Sequence, residues 1–130
     1  MEIKVSFDGN KKVNAHVRNH VVMTDQPVNG GGDDSAVSPF ELFLASMATC
    51  AGIYVKGFCD NRNIPTEGIT LTQTHAFDAK GMATEITIIV NLPKDFPEKY
   101  VDSVVHVAEL CKVKHHLTHP PIVAVKAIIG

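Results

Sequence analysis

The sequence lacks the features that mark several specialised classes of protein. No basic block suggests a nucleic-acid partner and no acidic run suggests a disordered tail, since 12 Lys and Arg stand against 14 Asp and Glu. The longest uncharged apolar run, 42–55, has about 14 residues, too few to cross a bilayer, and suits a buried helix. The first residues alternate as in a strand and form no signal peptide. We therefore expect a cytoplasmic protein without membrane or nucleic-acid partners.

Cysteine is scarce as well, with three residues in the chain. An odd number of cysteines without an export signal argues against a framework of structural disulfides. Reactive thiols and buried packing thiols both remain as interpretations. The length suits one domain, and neither a repeat nor a linker is visible, so we predict a single domain over 1–130.

The hydrophobic pattern predicts an α+β fold. Ser38 can cap a helix, Pro39 suits its first turn, and Glu41 completes a capping box with Ser38. That helix is apolar nearly all round and is predicted to be long, central and buried. The predicted order βββ-α-ββ-α-β comprises strands over 2–7, 13–17 and 21–23, the helix over 38–61, strands over 69–77 and 83–92, a helix near 97–111 and a last strand over 122–129.

The spacing of the cysteines separates one thiol from the other two. Cys59 lies nine residues after Cys50, which is about 180° away on a straight helix, so these two thiols cannot face one pocket. Cys111 is predicted on the apolar stripe of the second helix. Two thiols on the inner faces of two helices can meet, but a disulfide needs α carbons within about 7 Å, which no spacing reveals. Burial of all three as small hydrophobic side chains stays open.

Two segments resemble the cysteine motifs of one superfamily. The stretch Ser-Pro-Phe-Glu-Leu-Phe-Leu-Ala-Ser-Met-Ala-Thr-Cys, residues 38–50, resembles the first cysteine motif of the osmotically inducible and organic hydroperoxide resistance (OsmC/Ohr) proteins. The stretch Ala-Glu-Leu-Cys-Lys-Val-Lys-His, residues 108–115, is similar to the second motif. The predicted order of elements also matches, and the segment from Thr24 through the glycine run looks like the loop of an uncharacterised subgroup.

The resemblance implies a fold, a partner and a reaction. It implies that two subunits interlock as a homodimer, with active sites at their interface. It implies that a Cys50 thiolate attacks a small organic hydroperoxide, that Cys111 resolves the resulting sulfenic acid as a disulfide, and that a dithiol reductant restores both thiols. We also expect no cofactor and no metal.

Glu41 and Arg18 are the candidates for activating Cys50. The best-studied peroxidases of the superfamily pair the reactive cysteine with a glutamate that directly follows the helix-start proline and with an arginine in the first hairpin turn. Here Phe40 follows the proline and Glu41 comes one residue later, where its alternative role is the capping box. The first turn contains lysines only, so we predict that Arg18, on the next strand, substitutes. The alternative for Arg18 is an exposed strand residue, and lysine cannot offer the bidentate fork of arginine.

Two other polar clusters have structural interpretations. His115, His116 and His119 follow Cys111 and could form a metal site with it. The alternatives are a solvated helix end, where histidine suits the dipole, or a role for His115 in ionising Cys111. The run Gly30-Gly31-Gly32 lacks the Lys-Ser/Thr of a phosphate loop and is predicted to be a flexible loop.

Three functions fit these residues. The first is the hydroperoxide-reducing enzyme of oxidative stress defence. The second is a non-catalytic dimer that holds a small apolar or acyl ligand in a pocket lined by Phe40, Phe43, Met47 and Tyr54. The third is a redox sensor in which the disulfide changes a partner surface, although no sequence feature singles it out.

Overall fold

A computed structural model describes all 130 residues, which divide into two compact units, Met1–Ala45 and Ser46–Gly130. The single domain over 1–130 stays a prediction. The secondary structure is α+β, with two sheets and three helices. In chain order the elements are β1 (Ile3–Phe7), β2 (Val13–Val17), β3 (His20–Thr24), α1 (Pro39–Asn61), β4 (Thr70–Phe77), β5 (Ala83–Asn91), α2 (Val101–Glu109) and α3 (Lys112–Thr118).

The N-terminal unit contains an antiparallel sheet in the order β1-β2-β3. Alternating apolar residues predicted all three strands, and the structure confirms them. Arg18, however, lies in the tight turn between β2 and β3 with a positive φ of 53°, not on a strand. The reason is the two-residue loop, because the turns that match the twist of a hairpin require left-handed backbone at their centre.

Asp25 organises the loop that follows this sheet. Its carboxylate is fully buried and accepts hydrogen bonds from the backbone N–H groups of Gln26 (2.7 Å) and Ser35 (3.0 Å) and from the Ser35 hydroxyl (2.6 Å). Gly31 adopts a φ of 87°, and a Cβ on Gly32 would lie 2.1 Å from the Gln26 carbonyl oxygen. The glycine run therefore lies in a hydrogen-bonded turn around a buried carboxylate, while its flexibility stays a prediction.

Helix α1 is buried along one side only. Its buried residues include Leu44, Met47, Ala51, Val55 and Phe58, which recur at three- and four-residue intervals, whereas Ile53 on the other side is exposed. The expectation of a helix buried all round is thus not met within one chain. By length and composition α1 could cross a membrane, a test that the core helix of a soluble protein also passes.

The C-terminal unit packs its own core against the second half of α1. The hairpin of β4 and β5 turns at 78–81, as predicted, where the Asp78 carboxylate accepts the N–H groups of Lys80 and Met82. Val104 of α2 is fully buried beside α1 residues. The core consists of Val55, Phe58, Cys59, Phe96 and Val104.

At the end of the chain one prediction is confirmed in part and another was wrong. The helix expected over 97–111 is a 3-10 turn followed by α2, which ends at Glu109, and Cys111 adopts extended backbone (φ −59°, ψ 142°) before α3. Residues 120–130 form neither helix nor strand, so the expected last strand over 122–129 is absent. A strand needs a hydrogen-bonded neighbour, and this segment pairs with no strand of its own chain.

Candidate active site

Cys50 and Cys111 come together within the C-terminal unit. Cys50 lies on α1 and is half-buried, whereas Cys111 is only 1% exposed, and both are free thiols. Burial raises the pKa of the Cys111 thiol above its ordinary value, and the neighbouring Cys50 thiol raises it further through charge and a side-chain hydrogen bond. Cys50 is therefore close enough to affect the pKa of Cys111, although Cys111 lies outside the helix stripe on which it was predicted.

Cys111 is the N-cap of α3. Its sulfur accepts a hydrogen bond from the backbone N–H of Lys114 at 3.3 Å, which lowers the pKa of the thiol and opposes the effect of burial. The Lys114 ammonium charge acts in the same direction. A sulfur with an N–H donor and a nearby cation is better suited to carry negative charge than a purely apolar packing thiol.

A mostly apolar pocket of about 480 Å³ opens beside Cys111. Met47 and Ala51, the neighbours of Cys50 on α1, form part of its wall, and Lys114 and two carboxylates add the polar groups. The volume is typical of a small-molecule site. The complete lining is Met47, Ala51, Ala83, Thr84, Glu85, Ile86, Thr87, Ile88, Val90, Val105, Ala108, Glu109, Cys111, Lys114 and Leu117.

The pocket differs from the one expected from the sequence. Of the four residues predicted to line it, Met47 does so, whereas Tyr54 lines a separate, more open cavity beside Arg62 and His106. Phe40 and Phe43 stack on each other at 6.1 Å in the N-terminal unit. The contribution of β5 to the wall was missed, because strand pairing carries no information about which helix covers a sheet face.

Cys59 is a packing thiol. It is completely buried among Val55, Phe58, Phe96 and Val104, and burial is the main cause that raises its pKa. This agrees with the helix geometry, which excluded Cys59 from a pocket shared with Cys50. A buried thiol in apolar surroundings is chemically inert.

Glu41 forms the capping box that its spacing predicts. Its carboxylate accepts the backbone N–H of Ser38 at 3.0 Å, and its own N–H donates to the Ser38 hydroxyl at 3.2 Å. The backbone hydrogen bond from Ser38 is the largest cause that lowers the pKa of Glu41. A structural role for Glu41 is therefore in place, while its action on Cys50 stays a prediction.

Arg18 belongs to the N-terminal unit, where its side chain is exposed in the turn after β2. Cys50 belongs to the C-terminal unit, so a pairing of Arg18 with Cys50 stays a prediction. The cation that the structure does associate with the Cys111 thiol is Lys114. The sequence did not predict the contact between Lys114 and Cys111, because cysteine is not a customary N-cap residue and nothing indicated that a helix begins after Cys111.

The histidines after Cys111 lie on α3 and at its end. The rings of His115 and His119 stack at 4.3 Å, and the ring of His116 is hydrogen-bonded to the Lys112 carbonyl at 2.7 Å. No group of three or more His, Cys, Asp or Glu side chains has a geometry that could hold a metal ion. The stacking and the carbonyl contact fit the solvated helix end.

Known proteins resemble the chain in both sequence and fold. A family model for OsmC-like proteins matches residues 31–126. The chain is similar to a Psychrobacter arcticus protein of known crystal structure, which is described as an osmotic stress induced and detoxification response protein. The two are 25% identical, with a TM-score of 0.74 over 87% of this chain and 85% of that chain. A search of the curated proteins finds no match.

Two further solved structures share the fold at lower identity. An OsmC-like protein of Mycoplasma pneumoniae is 13% identical, with a TM-score of 0.72 over 92% of this chain and 87% of that one. The organic hydroperoxide resistance protein OhrB of Bacillus subtilis is 22% identical, with a TM-score of 0.53 over 89% and 90%. These likenesses establish the fold and carry no activity by themselves.

Proposed function

The chain belongs to the OsmC-like protein family, and from this premise we propose that it reduces organic hydroperoxides through Cys50 and Cys111. The observation that carries the proposal is the nearness of Cys50 to Cys111, a residue that lines a mostly apolar pocket. A resemblance in fold to an organic hydroperoxide resistance protein agrees with it. The proposed role is defence against oxidative stress.

The reaction consumes two thiols and one hydroperoxide. The Cys50 thiolate attacks the terminal oxygen of the hydroperoxide, the O–O bond breaks, and the alkoxide takes a proton and leaves as an alcohol. The Cys111 thiolate then attacks the sulfur of the Cys50 sulfenic acid, hydroxide takes a proton and leaves as water, and a disulfide forms. A dithiol reductant supplies the two electrons that restore both thiols.

The exposure of the two sulfurs supports this division of roles. Cys50 is half-buried and can meet a hydroperoxide, whereas Cys111 is almost fully buried and is reached most easily from Cys50 itself. The apolar wall suits the organic group of the substrate. We propose that Glu41 and Arg18 assist Cys50, in the roles that the resemblance to the superfamily implies.

The test is to treat the reduced protein with one equivalent of cumene hydroperoxide and map its cysteines by mass spectrometry. We expect a peptide linked through Cys50 and Cys111, with Cys59 free. Cumene hydroperoxide should also be consumed catalytically when dithiothreitol is present. Cys50→Ser should abolish turnover, and Cys59→Ser is the matched control that keeps it. Two free thiols at Cys50 and Cys111 after treatment would rule out the proposal.

The active form is proposed to be an interlocked homodimer. In one chain the β1 residues Ile3, Val5 and Phe7 are exposed, with Phe7 at 85%. The segment 120–130 is even more exposed, at 81% to 102% for Ile122, Val123, Val125, Ile128 and Ile129. Apolar surface of this extent favours a covering partner, and a second subunit could pair the strand-like C-terminal segment with its own sheet.

Light scattering after size exclusion tests the dimer. The full chain should have twice the mass of one subunit, and removal of residues 120–130 should shift it to monomer or to aggregate. A full-length monomer at micromolar concentration would contradict the homodimer. We also propose a cytoplasmic location, because three free thiols persist in a reducing compartment.

A second candidate function is the binding of a small apolar ligand without chemistry. The pocket of about 480 Å³ beside Cys111 favours it, since such a volume holds a ligand whether or not the thiols react. Native mass spectrometry of Cys50→Ser distinguishes the two. The binding function would be favoured if Cys50→Ser keeps a bound small molecule and the unmutated protein consumes no hydroperoxide.

A further inference from the structure

The surroundings of the two sulfurs differ in a way that bears on how the disulfide is reopened. We propose that the reducing thiol attacks Cys50, that Cys111 is the sulfur that leaves, and that Lys114 is the positioning residue for the departing thiolate. This rests on the proposed function and adds the direction of its second half-reaction.

Access selects the sulfur that is attacked. Thiol–disulfide exchange requires the incoming thiolate to approach one sulfur in line with the S–S bond. Cys111 is 1% exposed and lies at the start of α3, so an external thiol can contact little of its surface even though the residue lines the pocket. Cys50 is half-buried and is the more accessible of the two residues.

The departing sulfur is selected by what stabilises its charge. The Lys114 backbone N–H already donates to the Cys111 sulfur at 3.3 Å, and the Lys114 side chain lies in the wall of the same pocket. Exchange is faster when the leaving thiolate is stabilised. When the S–S bond breaks, its electron pair goes to Cys111, where a hydrogen-bond donor and a cation are in place.

Reduction of the Cys50–Cys111 disulfide takes two exchange reactions. A thiolate of an external dithiol forms a bond to the Cys50 sulfur and releases the Cys111 thiolate, which takes up a proton. The second thiolate of the dithiol then attacks its own partner sulfur in the mixed disulfide and releases the Cys50 thiolate. The dithiol becomes a disulfide, and the protein regains two thiols.

The test traps the mixed disulfide. Protein with a verified Cys50–Cys111 bond is mixed with excess 2-mercaptoethanol, quenched with acid within seconds and alkylated, and each cysteine is mapped by mass spectrometry. We expect mercaptoethanol on Cys50 and alkylation on Cys111, with about tenfold preference in the earliest samples. Equal labelling, or mercaptoethanol mainly on Cys111, would overturn the proposed direction.

The role of Lys114 has its own variants. Lys114→Met should slow reduction by dithiothreitol about two- to fivefold, because the leaving thiolate loses its cation. Lys114→Arg should restore the rate because it keeps the positive charge, whereas a merely structural role would not require that charge. The matched control is Lys112→Met, since Lys112 is an exposed lysine of the same helix. An unchanged rate in Lys114→Met would remove Lys114 from the proposal.

The two proposals can fail separately. If cumene hydroperoxide forms no disulfide, the proposed function fails. The disulfide can then be made with diamide, an oxidant unrelated to hydroperoxides, and the trapping experiment still reports which sulfur is attacked. If the disulfide forms with hydroperoxide but the adduct is found on Cys111, only the direction of reduction is wrong.

Discussion

Oxidation of Cys50 and Cys111 should stabilise the protein, and by an amount that follows from their positions. The bond would close a loop of about 60 residues, for which loop entropy predicts a stabilisation of about 4 kcal/mol at 25 °C. Cys50 lies close enough to Cys111 to raise the pKa of its thiol, so we expect little rearrangement when the bond forms. Disulfides typically stabilise proteins by about 2 to 4 kcal/mol, and we therefore expect an increase of that size in the free energy of unfolding.

Thermal denaturation followed by circular dichroism measures this increase. For a chain of this length, about 2 to 4 kcal/mol corresponds to a rise in Tm of roughly 7 to 15 °C. Reduced and oxidised samples must have the same protein concentration, because the Tm of a dimer depends on it. Cys59→Ser should show the same rise as the unmutated protein, since Cys59 lies in the core and outside the pair.

The controls decide what a rise in Tm means. Cys50→Ser and Cys111→Ser should show no rise after oxidation, because neither can close the loop. A rise in either variant would mean that oxidation stabilises the protein by another route. If mass spectrometry finds the Cys50–Cys111 bond but the Tm falls, the two thiols are not in bonding geometry in the folded protein, and the reasoning from their proximity is wrong.

Three other changes test the loop and the core. The pKa of Asp25 is lowered to about 2, chiefly by the hydrogen bond from Ser35. The stability that the Asp25 carboxylate contributes is therefore present above about pH 4 and should be lost as the pH falls towards about 2. In urea titrations, Asp25→Asn should reduce the loss of stability between about pH 4 and about pH 2. Gly32→Ala places a Cβ against the Gln26 carbonyl, and we expect faster hydrogen exchange of the amides of Gln26, Asp34 and Ser35, with unchanged exchange at β4 and β5 as the control. Cys59→Ser buries a hydroxyl among apolar side chains and should lower stability by about 1 to 3 kcal/mol, whereas Cys59→Ala, which buries no polar group, reports the loss of packing alone. Equal losses of stability in the two Cys59 variants would show that packing, not polarity, controls this position.

Local signals in the sequence were sufficient for most of the fold. The capping box of Ser38 and Glu41, the strand alternation of β1 to β3 and the turn at Asp78 were all predicted and are present. Each of these features depends on residues within a few positions of one another. For the same reason helix periodicity could separate Cys59 from Cys50.

Other outcomes depended on contacts between distant residues. Between α2 and α3, Cys111 adopts extended backbone, is buried and accepts a hydrogen bond from Lys114. The apolar periodicity of 97–111 is continuous and gave no sign of this break between the two helices. The wall that β5 adds to the pocket required the packing of a sheet against two helices. Arg18 entered a turn because the register of two strands left only two residues to connect them.

By itself the sequence determined the α+β class, the boundaries of α1, the hairpins and the separation of the core thiol Cys59 from Cys50, because these follow from backbone geometry and short-range spacing. Only the tertiary structure decided that Cys111 lies near Cys50, that Lys114 donates a hydrogen bond to the Cys111 sulfur, and that α1 and the segment 120–130 leave apolar surface uncovered. Burial and proximity are properties of residues far apart in the chain, and no local pattern specifies them.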